Sequence, residues 1–136
     1  MKTCAIILGV VLLLGVLGIV GGVIYLNHES APAKVAILDA QIASACENYL
    51  AVYGKLPEPL ENQKFFAVLA GQNTNDTVFF TPDASDLNSD GELVDPWGTP
   101  FKITADAKGN LTIISAGPDR KFQTKDDISQ FIMGDH

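Results

Sequence analysis

Three aspartates crowd into one short loop in the last quarter of the chain. The stretch reads Ser115-Ala116-Gly117-Pro118-Asp119-Arg120-Lys121-Phe122-Gln123-Thr124-Lys125-Asp126-Asp127-Ile128 and follows a β-branched apolar run. Carboxylates this close repel one another, so a folded loop calls for a compensating cation or for full solvation. A hard ion such as Ca²⁺ suits such a set, because it takes about six to eight oxygens from carboxylates, backbone carbonyls and water. The competing reading is a solvated acidic turn, with Arg120, Lys121 and Lys125 as local counter-charges.

A second acidic stretch, Asp86-Leu87-Asn88-Ser89-Asp90-Gly91, matches the opening of an EF-hand loop. The match stops there, because Trp97 stands at the twelfth position, where a bidentate Glu closes such a shell. An Asx-rich turn explains the same residues. Asp95-Pro96-Trp97-Gly98-Thr99-Pro100 reads as a structural turn: Asp95 accepts backbone N–H groups, Pro96 presets the bend, and Trp97 is a bulky anchor. Catalytic groups are scarce. The two histidines are His28 and His136, no serine sits in a nucleophile elbow, and no Cys–His pair is spaced for covalent chemistry. The expectation is a chain that is not an enzyme.

Positioning these loops falls to a few elements. Val35, Leu38, Ile42, Ala45, Tyr49 and Val52 recur at spacings of three and four, which predicts an amphipathic helix over Ala33 to Tyr53 with Cys46 beside its stripe. Ser30 is the expected N-cap and Gly54 the stop. A shorter helix is expected over Leu60 to Ala70 and a short strand over Thr77 to Phe80. Asp83 to Asp95 is expected to be loop. Pro100 to Thr104 and Leu111 to Ser115 read as paired strands joined through Lys108-Gly109-Asn110. The fold class is therefore α+β, an amphipathic helix packed on a small antiparallel sheet. Asn75-Asp76-Thr77 and Asn110-Leu111-Thr112 are glycosylation sequons, relevant in a eukaryotic secretory host.

The chain has 136 residues, room for one modest domain beside an apolar start. From Cys4 to Leu26 there is no charged residue, and as a helix this block is about 34 Å long. That length spans a bilayer core with some tilt. A cleaved signal peptide ending near Ala31-Pro32-Ala33 is the rival, but such apolar regions are about 7–15 residues long. Lys2 before the block places the start in the cytoplasm and the rest across the membrane. The division is residues 1–29 as cytoplasmic start and transmembrane anchor, and residues 30–136 as a domain in the periplasm or outside the cell. Gly18 and Gly22 form a small-xxx-small pair on which two such helices can pack. Beyond Leu26, eight Lys/Arg face sixteen Asp/Glu, an acidic balance that argues against nucleic acid as a partner. Cys46 alone lies in the exported part, so no internal disulfide is expected there.

Taken in order, these features resemble the major (G-type) pseudopilins of type II secretion systems. The resemblance rests on the apolar start, the helix ending Tyr53-Gly54-Lys55-Leu56-Pro57, and Asp90-Gly91-Glu92-Leu93-Val94-Asp95-Pro96-Trp97-Gly98-Thr99-Pro100-Phe101. Ser115-Ala116-Gly117-Pro118-Asp119 and Asp126-Asp127-Ile128 complete it, over roughly residues 33–128. It implies a pilin-like fold and a structural Ca²⁺ held by Asp119, Asp126 and Asp127 with intervening carbonyls, the Asp86/Asn88/Asp90 loop standing apart. It also implies assembly with other pseudopilin-like subunits or envelope proteins in protein export. No small-molecule substrate is expected. The start departs from the family pattern: residues 3–7 read Thr-Cys-Ala-Ile-Ile, without the Gly-Phe cleavage pair, and no acidic residue precedes Glu29. The alternative is a stand-alone, single-pass envelope protein that uses the same domain to bind protein without polymerising.

Overall fold

Helical periodicity in the first amphipathic segment sets the architecture. A computed structural model describes residues 31–134, of which 31–53 are helical (α1). The apolar block 4–26, the Ser30 cap and the Gly18/Gly22 face lie outside the described residues. Among the described residues no helix is long and apolar enough to cross a membrane. The chain divides into a unit of residues Met1–Ala33 and a unit Lys34–His136, and the hydrophobic core belongs to the second.

Along α1 the stripe Val35, Leu38, Ile42, Ala45 and Tyr49 is buried, and Cys46 beside it is fully enclosed. Val52, expected on this stripe, is instead 56% exposed, because Tyr53, four residues after Tyr49, continues the stripe and packs against the core in its place. Asp39 falls on the inward side and is buried. A second helix, α2 (Asn62–Leu69), contributes Phe65, Phe66 and Leu69. It is shorter at both ends than the apolar pattern suggests.

Three strands complete the domain: β1 (Lys102–Ala105), β2 (Leu111–Ser115) and β3 (Ile128–Ile132). They form one antiparallel sheet in the order β1-β2-β3. Ile103 pairs with Ile113, and Ile113 with Gln130, so β2 is the central strand. The alternation of β2 points Leu111, Ile113 and Ser115 inward, where a pleated strand must bury every second residue. Ile103, Leu111, Ile113 and Ile132 join the stripe of α1 and the three apolar residues of α2 in one core. Each such side chain, fully buried, contributes roughly 1.5–3 kcal/mol.

The β1–β2 connection shows why the strands reverse where they do. Asp106 Oδ1 accepts hydrogen bonds from the N–H groups of Lys108 and Asn110, and its Oδ2 from Asn110 Nδ2. These bonds, above all those of Asn110, hold the Asp106 carboxyl below the usual carboxylate range. Asn110 is itself buried and its Oδ1 accepts from Gly134 N, so the second sequon is closed to glycosylation in the folded chain.

The expected strand over Thr77 to Phe80 does not form. The N–H groups of Phe79 and Phe80 both donate to Leu69 O, at 2.8 and 3.1 Å. They thus satisfy the open carbonyl end of α2 instead of a sheet ladder. Tyr49, Tyr53 and Phe79 then stack into an aromatic cluster, with ring centroids 4.4 to 6.1 Å apart.

Candidate loop site seated on a buried aspartate

The turn carrying Trp97 is built around Asp95. This carboxylate is almost wholly enclosed. Its Oδ1 accepts from the N–H groups of Trp97 (3.1 Å) and Thr99 (2.9 Å), and Gly98 takes a positive φ of 86° to close the bend. Trp97 is half-buried against the core. The other oxygen, Oδ2, accepts from Ser115 Oγ at 2.7 Å. Ser115 Oγ in turn accepts from Gly117 N at 3.2 Å. One chain of hydrogen bonds therefore runs from the Asp95 turn, through the end of β2, to the first turn of the acidic loop. A buried carboxylate needs such donors, since leaving it bare costs several kcal/mol.

Gly117 is the neck of the loop. Its φ is +69°, and a Cβ placed there would stand only 2.1 Å from Asp126 O. No side chain fits. The two ends of the loop are pressed together at this point, which brings Asp126 and Asp127 back beside the start of the loop. Within it, Arg120 and Gln123 take left-handed conformations with φ of 58° and 68°. Such residues cost about 1–2 kcal/mol each relative to glycine.

The three aspartates occupy distinct positions on this loop. Asp119 is exposed and its Oδ1 accepts from Lys121 N at 2.9 Å. Asp127 is half-buried; its Oδ2 accepts from Gln123 N at 2.8 Å, and its Oδ1 from Thr124. Asp126 is exposed. Among the described residues no group of three or more His, Cys, Asp or Glu is arranged to hold a metal ion. Lys102 Nζ lies 5.7 Å from the centroid of the Phe122 ring, which seats this lysine of β1 on the loop.

The upstream Asp86/Asn88/Asp90 stretch folds as a hairpin, with Leu87 bridged to Leu93. Asn88 Oδ1 accepts from the N–H groups of Asp90 and Glu92, and Asp86 pairs with Lys34 of α1 at 2.5 Å. Asp86 is thereby occupied in tying the hairpin to the helix.

Compared with known families, curated proteins and solved structures, the chain finds no match. Two of its residues carry structural weight that no motif signalled. Asn62 clips α2 onto the segment before β1: its Nδ2 donates to Leu93 O and Phe101 O, and its Oδ1 accepts from Leu93 N, all within 2.9 Å. Asp39, on the inward side of α1, has an Oδ1 that is buried without a hydrogen-bond partner among the described residues. Burial raises its carboxyl from 3.8 to about 6. A polar residue breaking the apolar stripe of a helix was the available signal for Asp39. For Asn62 there was none.

A cleft of about 240 Å³ opens between the end of α1 and the β1–β2 turn, with Lys55, Glu58 and Lys108 as its charged residues.

Proposed function

We propose that this chain is a non-catalytic, membrane-anchored, pseudopilin-like protein with a structural role in assembly. The setting is a type II secretion system or a related envelope filament, with the domain on the far side of the inner membrane. The single observation that carries the reading is the buried Asp95–Ser115 hydrogen bond. It joins the Asp-Pro-Trp-Gly turn to the Ser-Ala-Gly-Pro-Asp tail, the two stretches on which the resemblance rests. Two motifs distant in sequence share one buried contact, which a chance pairing of unrelated turns does not require.

In this reading Ca²⁺ is a structural ligand of the acidic loop. The donor set suits it: Asp119, Asp126 and Asp127 offer hard oxygens, and the loop between them supplies backbone carbonyls. Asp119 and Asp126 are exposed, so turning their carboxylates toward an ion sacrifices no buried contact. The ion would neutralise the repulsion of the three charges and fix the loop on its Asp95 seat.

The test is thermal unfolding with calcium and with chelator at matched ionic strength. Chelation is expected to lower Tm, and Asp126→Ala or Asp127→Ala to abolish the response. A ligand at a hundred times its Kd stabilises by about 2.7 kcal/mol. Identical melts under both conditions overturn the calcium assignment.

The second reading, a stand-alone envelope protein that binds partners without polymerising, is favoured by the start of the chain. Residues 3–7 lack the Gly-Phe pair, and no acidic residue precedes Glu29 to pair with a neighbour's amine inside the bilayer. Intact mass of membrane-extracted protein separates the two. A shortened, N-methylated start supports the filament, and an unmodified Met1 supports the stand-alone protein.

A further inference from the structure

Both arms of the acidic loop converge on Gly117, and each main-chain group of this residue is engaged. Its N–H donates to Ser115 Oγ at 3.2 Å. Its carbonyl accepts from Arg120 N at 3.1 Å, which closes the turn that carries Asp119. Its open Cα side faces the main-chain carbonyl of Asp126, whose oxygen would lie 2.1 Å from a Cβ. The placement of Gly117 therefore fixes the Asp119 arm and abuts the Asp126–Asp127 arm at one point.

What holds Gly117 lies behind the loop. Ser115 and Asp95 are buried, whereas Asp119 and Asp126 are exposed. Ser115 Oγ has one proton, and it goes to Asp95 Oδ2 at 2.7 Å. The lone pairs of that oxygen are thereby left to accept from Gly117 N. Asp95 is itself clamped through its other oxygen by the N–H groups of Trp97 and Thr99. Neither Ser115 nor Asp95 belongs to the ligand set of Asp119, Asp126 and Asp127.

We infer that Asp95 and Ser115 are positioning residues of the calcium loop: they set its affinity for the ion by fixing Gly117, without contacting the ion. The inference rests on the calcium reading above and names what regulates that site. Gathering ligands from two arms of a loop costs conformational entropy, and a loop already pinned where its arms meet pays less of it on binding. Removing the partners that orient metal ligands typically weakens binding about 10–100-fold. Coupling of this kind is reciprocal. Whatever the Asp95 seat adds to ion binding, ion binding adds to the seat, so an ion held on the exposed side of the loop tightens the turn at Trp97.

The experiment is calcium titration calorimetry on the full chain in neutral detergent micelles, paired with amide exchange. Ser115→Ala is expected to weaken the Kd about tenfold, although Asp119, Asp126 and Asp127 stay in place. Asp95→Asn is expected to act in the same direction, because its amide donates where the carboxylate accepted the hydroxyl proton. Asn62→Ala loosens the domain away from this chain of hydrogen bonds and is expected to leave the Kd unchanged. Calcium is also expected to slow exchange of the Trp97 and Thr99 N–H groups in the parent, and to lose this remote effect in Ser115→Ala. If Ser115→Ala binds calcium as tightly as the parent, or if calcium slows neither amide in a parent that binds it, the inference is overturned and the calcium assignment stands. An equal loss in Asn62→Ala marks general loosening and overturns the inference as well. Should Ser115→Ala fail to fold, Asp95→Asn and the remote slowing in the parent decide. A parent that takes up no calcium overturns the calcium assignment, and the inference falls with it.

Discussion

Asp39 is buried on the inward side of α1, with one oxygen that meets no donor among the described residues. Burial disfavours the charged form, which is why its carboxyl is pushed up to about 6. Linkage fixes the sign of the effect on stability. Between about pH 4 and pH 6 the unfolded chain gives up this proton while the folded chain keeps it. Stability therefore falls as pH rises through that window and levels off above it. Asp39→Asn removes this component, and at pH 7 it is expected to stabilise the fold by about 1–2 kcal/mol. Urea unfolding across the window checks this. A variant that tracks the parent at every pH contradicts it. Ser115 carries the opposite lesson, because its hydroxyl both donates to Asp95 and accepts from Gly117. Ser115→Ala strands a buried carboxylate oxygen and is expected to cost about 1–3 kcal/mol. It should also speed amide exchange at Gly117, a signature that loosening elsewhere in the sheet does not give.

Between elements, the contacts are set by side chains that satisfy backbone groups. Asn62 answers three main-chain groups of the Leu93 and Phe101 region from the first turn of α2. Asn62→Ala leaves all three without that partner and is expected to cost about 2–4 kcal/mol in chemical unfolding. A loss within experimental error of zero would mean that water replaces the amide. The helices and the β1–β2 hairpin were legible beforehand because each carries a local signal: spacings of three and four along α1, and in β2 a β-branched apolar run next to the Lys108-Gly109-Asn110 turn. The third strand was not. In β3 the apolar Phe131 points outward, 54% exposed, while Gln130 is half-buried and pairs with Ile113. Alternation is inverted at the middle of that strand, so the sequence pattern reads as the tail of a loop. Thr77 to Phe80 failed the other way: its residues favour strands, yet the open carbonyl of Leu69 captured their N–H groups.

At the scale of the molecule, the seating of the acidic loop depends on a contact between segments far apart in sequence. Sequence put Asp119, Asp126 and Asp127 in one loop, and the pinched neck at Gly117 brings the backbone of Asp126 back against the start of that loop. What no spacing disclosed is that the loop hangs from Asp95, some twenty residues upstream of its first residue, because that tie depends on the tertiary meeting of a turn and a strand end. Calcium dependence of Tm, through the acidic loop, and pH dependence, through Asp39 on α1, are therefore separable properties. Each belongs to a different group of residues, and each can be removed without touching the other.

Cys46 is fully enclosed against α1's neighbours, and burial, with Glu47 adding to it, pushes its thiol up to about 12. The sulfhydryl is thus both sealed and protonated in the native molecule, and alkylating reagents reach it only when the helix lifts away. The rate at which this one position becomes labelled, followed by peptide mass, is a built-in clock for how often the domain opens.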